Sequence, residues 1–460
     1  MKRIISRALA LALLLLAIII ASNHYRKAAA APTEISSPNS PSWNVSPPGT
    51  KISNNVGVGA NEPAIAASPN GNLMIVYNNW MTSSNDRDPY YSISTNGGLN
   101  WSTPAPIYSS VGVNSLQVDV AFSNDSTAHA VWVELVDVTP PLKTTALFYA
   151  RYNGSTWTAP TTLASITSPF PLIGHPRIVA TNSYIDVVWE EGNPTSQDAL
   201  GGNAAVLHKR SANGGQSWSN NVQISPLTTA PAVTADVEID ASGRPHAVWR
   251  QSLPAGDSEI RYTEGNISGG NTVSWLASIN VSKVVTNTNQ PELLISSDGD
   301  IHTSFTQSVI SGVNSFDQWV YYTFCDQSCM TPGNWEIPFN TIVDPVEVND
   351  NSPFDVVSDI VFGSNSCAYI FFHGLRDDTF GRELVWNVNS CDGWNHPEGW
   401  DPVTNDDTRA IFPRSVVSQQ TIHLTFQLVS DADVNSIYYM NGAFGTFGPT
   451  GAFLPAILKN

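Results

Sequence analysis

The sequence predicts an all-β chain of repeated four-stranded antiparallel sheets, and three observations carry that prediction. An aromatic anchor recurs inside a short apolar run at Tyr77, Trp132, Trp189, Trp249, Phe305, Phe372 and Phe426, at spacings of 55, 57, 60, 56, 67 and 54 residues. Similar text surrounds it: Ala128-His129-Ala130-Val131-Trp132, Pro245-His246-Ala247-Val248-Trp249, Ile301-His302-Thr303-Ser304-Phe305 and Ile422-His423-Leu424-Thr425-Phe426. Each anchor run follows another alternating run and precedes a tyrosine-rich one (Tyr90-Tyr91, Phe148-Tyr149, Tyr262, Tyr321-Tyr322, Tyr438-Tyr439), and a Trp-led fourth ends most units. Alternation with period two is the mark of a half-buried strand, and no helical period competes after the leader. Four short strands per unit, repeated at this period, describe the blades of a β-propeller. Seven anchors imply seven blades; six is the reading if one unit is an accident of alignment.

Taken in order, the chain opens with Lys2, Arg3 and Arg7 before an apolar run from Ala8 to Ala21 and a small-residue patch at Ala28–Ala31. That is the layout of a secretory signal peptide, residues 1–31, with an uncleaved membrane anchor as the competing reading. Export to a secreted or cell-surface location follows, with no membrane span once the leader is removed. Residues 32–42 form a Pro/Ser-rich linker, and 43–460 a single propeller domain. The last unit lacks its Trp and its fourth strand, so Trp43-Asn44-Val45-Ser46-Pro47 is expected to pair with it and close the ring, removing free sheet edges. The apolar stretch Ala452–Leu458 competes for that role and reads alternatively as a sorting tail.

Composition narrows the partners. Charged residues are 13% of the chain and the net charge is −18, or about −23 without the five basic residues of the leader. So acidic a chain is a poor partner for nucleic acid or an anionic membrane. Extracellular carbohydrate is the expected partner, and a monomer the expected state. The four cysteines fall late, and export makes two local disulfides, Cys325–Cys329 and Cys367–Cys391, the natural reading. No cofactor is expected. A structural calcium ion would sit, if anywhere, at Ser297-Asp298-Gly299-Asp300 or Asp431-Ala432-Asp433, which Asp-rich turns explain as well. The repeated His129, His246, His302 and His423 belong to different blades, too far apart to share one ion, so no metal is expected.

The hairpin turns carry a further signal. Ser94-Thr95-Asn96-Gly97-Gly98-Leu99-Asn100-Trp101 returns as Ser211-Ala212-Asn213-Gly214-Gly215-Gln216-Ser217-Trp218, with degenerate copies at Asn153–Trp157 and Asp392–Trp394. Asn bonds the backbone of its own turn, Gly supplies the left-handed position, and the Trp falls on the sheet beside it. The motif resembles the Asp-box, S-x-D-x-G-x-x-W, of the bacterial neuraminidase-repeat, sialidase-like propellers, with Asn where that family prefers Asp. Ser94, Asn96, Gly98, Trp101, Ser211, Asn213, Gly215 and Trp218 are then structural residues of the outer rim. The resemblance also implies a test of activity. Sialidases clamp a substrate carboxylate with three arginines, use a Tyr activated by a Glu as nucleophile, and an Asp as acid/base. The family's early Phe/Tyr-Arg-Ile-Pro motif has no match in the first unit. The nearest text, Pro176-Arg177-Ile178-Val179, comes two blades late.

The repeat also locates a candidate site. About 13 residues before each anchor stand Ala64, Asp119, Arg177, Asp236, Glu292, Asp359 and Arg414, six of them charged. A proline precedes four of them and is expected to open the strand. These positions predict a polar collar around the central channel, with Asp119, Asp236 and Glu292 as candidate catalytic carboxylates. Arg177, Arg414 and Asp359 are candidate ligand-binding groups. The ends of the anchor strands are expected at the same mouth, which adds Trp80, Glu191 and Arg250 and the variable loops at 81–88 and 375–382. Three functions fit: a secreted propeller that binds a glycan or another polar polymer without turnover, a glycoside hydrolase of sialidase-like or other specificity, or a protein-interaction scaffold. A hydrated channel whose collar charges satisfy one another needs no function at all.

Overall fold

The computed structural model describes residues 40–444 apart from 47, 54–56, 82–85, 138–141, 169–172, 182–183, 193–203, 227–229, 254–255, 313–314, 343–344, 349–355, 375–383, 393–400, 405–408 and 430–434. The leader, the C-terminal apolar stretch, Asp431–Asp433 and most of the two variable loops lie outside the described residues. What is described is β-structure, antiparallel except for one bridge, with two short 3-10 turns at Pro332–Asn334 and Ser390–Asp392.

The anchor residues sit in the second strand of successive groups of strands. The first group is Gly59–Ala67, Leu73–Trp80, Arg87–Ser94 and Ala105–Pro106. The second is Asn114–Phe122, Ala128–Asp137, Lys143–Tyr152 and Thr161–Ser168. A single parallel pairing, Arg87 with Asn114, fuses these two into one sheet. The later groups open with Ile173–Thr181, Ala232–Ile239, Thr288–Ile295, Ser358–Phe362 and Arg409–Ser418. Each of these first strands touches the next, and Arg409–Ser418 touches Gly59–Ala67. In the last group Asn435–Ala443 receives two N-terminal strands, Ser42–Trp43 and Thr50–Lys51.

The core lies between groups. Val76, Val120 and Trp132 pack at the first junction; Val187, Trp189 and Leu147 at the second; Trp249 and Val188 at the third. The last group meets the first through Ile437, Tyr439, Tyr77 and Ile75. Trp132, Trp189 and Trp249 are wholly buried. A fully buried large apolar side chain contributes roughly 1.5–3 kcal/mol relative to exposure.

At the rim one aromatic contact repeats. Trp101 meets Tyr439 of the last group (ring centroids 4.8 Å), Trp157 meets Tyr91 (5.5 Å), Trp218 meets Tyr149 (4.8 Å), Trp275 meets His208 (4.9 Å) and Trp335 meets Tyr262 (5.0 Å). Each of these five Trp thus lands on the preceding group. Trp43 meets Phe371, on the second strand of the sixth group, at 6.1 Å.

The turns that deliver Trp101 and Trp218 are held alike. Ser94 Oγ donates to Asn96 Oδ1 (3.0 Å) and accepts from Gly98 N (2.8 Å), while Asn96 Oδ1 accepts from Asn100 N (2.9 Å). Ser211, Asn213, Gly215 and Ser217 repeat the pattern. Gly98 and Gly215 stand at φ +87° and +80°, and a Cβ would come within 1.8 Å of Tyr439 Oη or 1.9 Å of Tyr149 Oη.

The repeated histidines bind tyrosines. His129, His246 and His423 pair with Tyr149, Tyr262 and Tyr439 at 2.7 Å, and His302 with Tyr322 at 2.6 Å. Burial holds His129, His302 and His423 down at about 4. In the third group an Asp takes the His position: Asp186 Oδ1 pairs with His208 at 2.7 Å, beside a wholly buried Arg210. Both disulfides form as the spacing suggests. Among the described residues no cluster of three metal-ligand side chains exists, and Ser296–Asp300 closes as a turn.

Candidate functional site: a central collar

Ala64, Asp119, Arg177, Asp236, Glu292, Asp359 and Arg414 all line one cavity of about 630 Å³. Their convergence depends on a bulge that recurs in six of the seven first strands. Register slips just before Ala64, Asp119, Arg177, Asp236, Glu292 and Arg414. Two residues before each stands a non-glycine in the left-handed region: Glu62, Gln117, His175, Thr234, Gln290 and Phe412. Such a bulge re-aims the side chain that follows it. The prolines at 63, 176, 291 and 413 correct one expectation. They sit inside the bulge rather than at the strand's start, where the broken ladder asks for no N–H.

The three collar aspartates lace neighbouring groups together at every second junction. Asp119 accepts from Ile178 N at 3.0 Å, Asp236 from Leu293 N at 2.7 Å, and Asp359 from Ser415 N at 2.6 Å. Each reaches the residue just after the next group's collar position. Across the channel Arg177 Nη2 donates to Glu292 Oε1 at 2.8 Å, and Arg414 Nη1 donates to the same oxygen. Arg414 Nη1 also lies 3.5 Å from Asp359 Oδ1.

Burial governs the titration of this cluster. It pushes Asp119 up against the opposing pull of Arg177. It pushes Asp236 well above the usual range, with Glu292 adding to the rise. Asp359 rises to about 6 by burial, opposed by Arg414 and aided by Glu292. Glu292 ends below its ordinary value, because Arg177 and Arg414 together outweigh its burial. Glu238, two residues along the strand from Asp236, also lines the cavity, and burial followed by Asp119 and Glu292 carries it to about 8. Sequence reasoning passed over Glu238. Its signal was period two, which returns it to the face of Asp236.

The cavity runs from the collar toward the turns that end the first strands, at Ser296-Ser297 and Gly363-Ser364. The anchor-strand ends lie at the other end of these strands, where Trp80 pairs with Gly59 and Glu191 with Ile173. Trp80, Glu191 and Arg250 therefore do not line it, contrary to the expectation of one shared mouth. Trp80 Nε1 donates to Asn61 Oδ1 at 3.0 Å, under the Arg87 guanidinium at 4.5 Å. Glu191 accepts from the anchor indole of Trp189 at 3.3 Å, as Glu134 does from Trp132 at 2.7 Å and Gln251 from Trp249 at 3.3 Å. A buried indole N–H needs such an acceptor. Arg250 Nε donates to the Thr288 carbonyl at 3.1 Å, beside a separate small cavity.

No protein-family model matches the chain, and no curated protein matches it in sequence. Among solved structures, the chain is similar to a family PL25 polysaccharide lyase, an ulvan lyase bound to a GlcA(1-4)Rha3S segment. That likeness covers 86% of this chain and 96% of the lyase at 10% identity, with a TM-score of 0.54. A protein of unknown function from Dyadobacter fermentans covers 86% of this chain and 97% of its own at 12% identity and a TM-score of 0.51. The fold is a β-propeller. The NanB sialidase of Streptococcus pneumoniae shares 12% identity over 86% of this chain and 70% of its own, at a TM-score of 0.45. Among the described residues no helix is long and apolar enough to cross a membrane.

Proposed function

We propose that this chain is an exported, seven-bladed, sialidase-like propeller, closed by its N-terminal strands, that binds an extracellular glycan at its central cavity without turning it over. The closed cycle of contacts among first strands and the place of Trp43 support the blade count and the closure. The Asp-box-like turns support the kinship, and the two disulfides fit an oxidising compartment.

The observation that carries the binding reading is the chain Arg177–Glu292–Arg414. Both collar arginines are committed to one carboxylate, and the three aspartates to backbone amides. The cavity thus offers a rim of polar donors and acceptors with no cation left to clamp a substrate carboxylate, which suits the hydroxyls of a neutral sugar. The similar ulvan lyase binds a polysaccharide on a related fold.

One observation favours a glycoside hydrolase instead. Asp236 is pushed up while Glu292 is held down, the separation expected of an acid and its partner base. Against it, Glu292 is already paired with Arg177 and Arg414, which makes it a poor base. The test is a glycan array with the mature chain, run beside fluorogenic glycosides that include α-sialosides. Binding to neutral glycans that weakens in Arg177→Ala, with no sugar released, is the expected result. Turnover abolished by Asp236→Asn and by Glu292→Gln would replace binding with hydrolysis.

A further inference from the structure

Two positions past the collar, every first strand places another residue in the lining of the central cavity. Six of these seven are apolar: Ala66, Ala121, Val179, Leu294, Val361 and Val416. The seventh is Glu238. Its chain neighbours Val237 and Ile239 are buried, at 3% and 7%, whereas Glu238 stays partly exposed. The other four carboxyls of the lining are engaged. Asp119, Asp236 and Asp359 hold amides of the next group, and Glu292 holds both collar arginines. Among the described residues no side chain donates a hydrogen bond to Glu238. Its rise to about 8, set first by burial and then by Asp119 and Glu292, is that of a carboxyl short of a counter-charge.

We infer that Glu238 anchors the ammonium of an amino sugar bound in the central cavity. The inference rests on the glycan reading above and narrows it. An amino sugar keeps the hydroxyls that suit the collar and adds one cation. The lining favours that cation, because five carboxyl groups stand against two guanidiniums. Both guanidiniums are tied to Glu292, and the six apolar residues level with Glu238 carry no charge to repel an ammonium. An ammonium leaving water needs a counter-charge, which Glu238 supplies, and its arrival in turn lets the carboxyl ionise. Apolar walls strengthen the pair by keeping the local dielectric low. At about 630 Å³ the cavity lies within the roughly 300–1,000 Å³ of small-molecule sites, wide enough for a sugar ring.

The test is calorimetric titration of the mature protein at pH 7 with three tetramers of one β-1,4-linked backbone, at 50 and 500 mM NaCl. Tetraglucosamine carries an amine at C2, tetra-N-acetylglucosamine an uncharged acetamide, and cellotetraose a hydroxyl. Tetraglucosamine is expected to bind about tenfold or more tighter than the other two, with the gap narrowing at high salt. Glu238→Gln keeps the shape of the neutral acid, so it should fold, which a melting curve checks. It should remove most of the gap and leave cellotetraose binding unchanged. Equal binding of all three tetramers would overturn the inference and leave the glycan reading standing. So would a preference for the amine that survives in Glu238→Gln, which would trace it to the acidity of the whole chain. Silence from all three overturns the inference, and together with an empty glycan array it removes the glycan reading as well.

Discussion

The collar and the rim solve the same problem with opposite chemistry. Both join one group of strands to the next, and both recur with the period of the anchors. At the rim the joint is a Trp on the preceding group's Tyr, backed by a buried His such as His129 on Tyr149. At the collar it is a carboxylate on the next group's backbone N–H, as with Asp119 on Ile178. The rim has the area to bury large rings. Near the axis the first strands crowd together around a cavity, and short polar side chains meet backbone donors there. The difference teaches that charge near the centre of this propeller is first of all mortar. Any ligand function is added to groups already committed to holding the ring.

That contrast can be broken at several points. The largest effect should come from the anchors: Trp249→Ala removes a wholly buried indole and should cost about 3–5 kcal/mol in denaturant titrations, at every pH. At the collar, Arg414→Met strips the cation from between Glu292 and Asp359. A loss of about 3–5 kcal/mol at neutral pH is expected, shrinking as the carboxylates protonate below pH 6. A loss with no pH dependence would mean that packing, and not charge, holds the centre. Gly215→Ala at the rim should cost about 1–3 kcal/mol through its positive φ alone, and more through the clash with Tyr149.

The smallest effects are the sharpest discriminators, because the two regions titrate with opposite sign. His302 is held down at about 4, so the unfolded chain binds its proton first. Its contribution is complete above pH 6.5 and is lost as pH falls toward 4. Glu238 is raised to about 8, so the folded chain binds the proton first, and stability falls as pH rises from about 4 to about 8. His302→Gln should therefore flatten the acid limb of a melting-temperature profile by a few degrees. Glu238→Gln should raise the melting temperature at pH 9 and leave it little changed at pH 4. If both substitutions moved the same limb, the opposition of rim and centre would be wrong.

Much of this was legible in the text because a repeat turns local rules into global ones. Once Trp132, Trp249 and Phe426 are aligned, period two tells which residues share their face, and an offset of 12 or 13 residues finds Asp119, Asp236 and Arg414 at one cavity. The pairing of Trp43 with the last group followed from the fourth strand that group lacks. The bulges were half legible. A proline marks those at Glu62, His175, Gln290 and Phe412, but nothing distinguishes Gln117-Val118 or Thr234-Ala235 from ordinary strand.

What the sequence determined by itself was whatever depends on spacing along the chain: the anchors, the turns, the nearby cysteines and the seven collar positions. Tertiary structure alone decided which charges meet. Arg177 and Arg414 stand 115 and 122 residues from Glu292, in groups that are not neighbours along the chain. Only closing the strands around a common cavity brings three such side chains to one oxygen. The same closure decided that Arg250 and Trp80, read as companions of the collar, stand at the far end of the strands. A strand's direction is set by how it packs, and periodicity carries no sign to reveal which end of it faces a ligand.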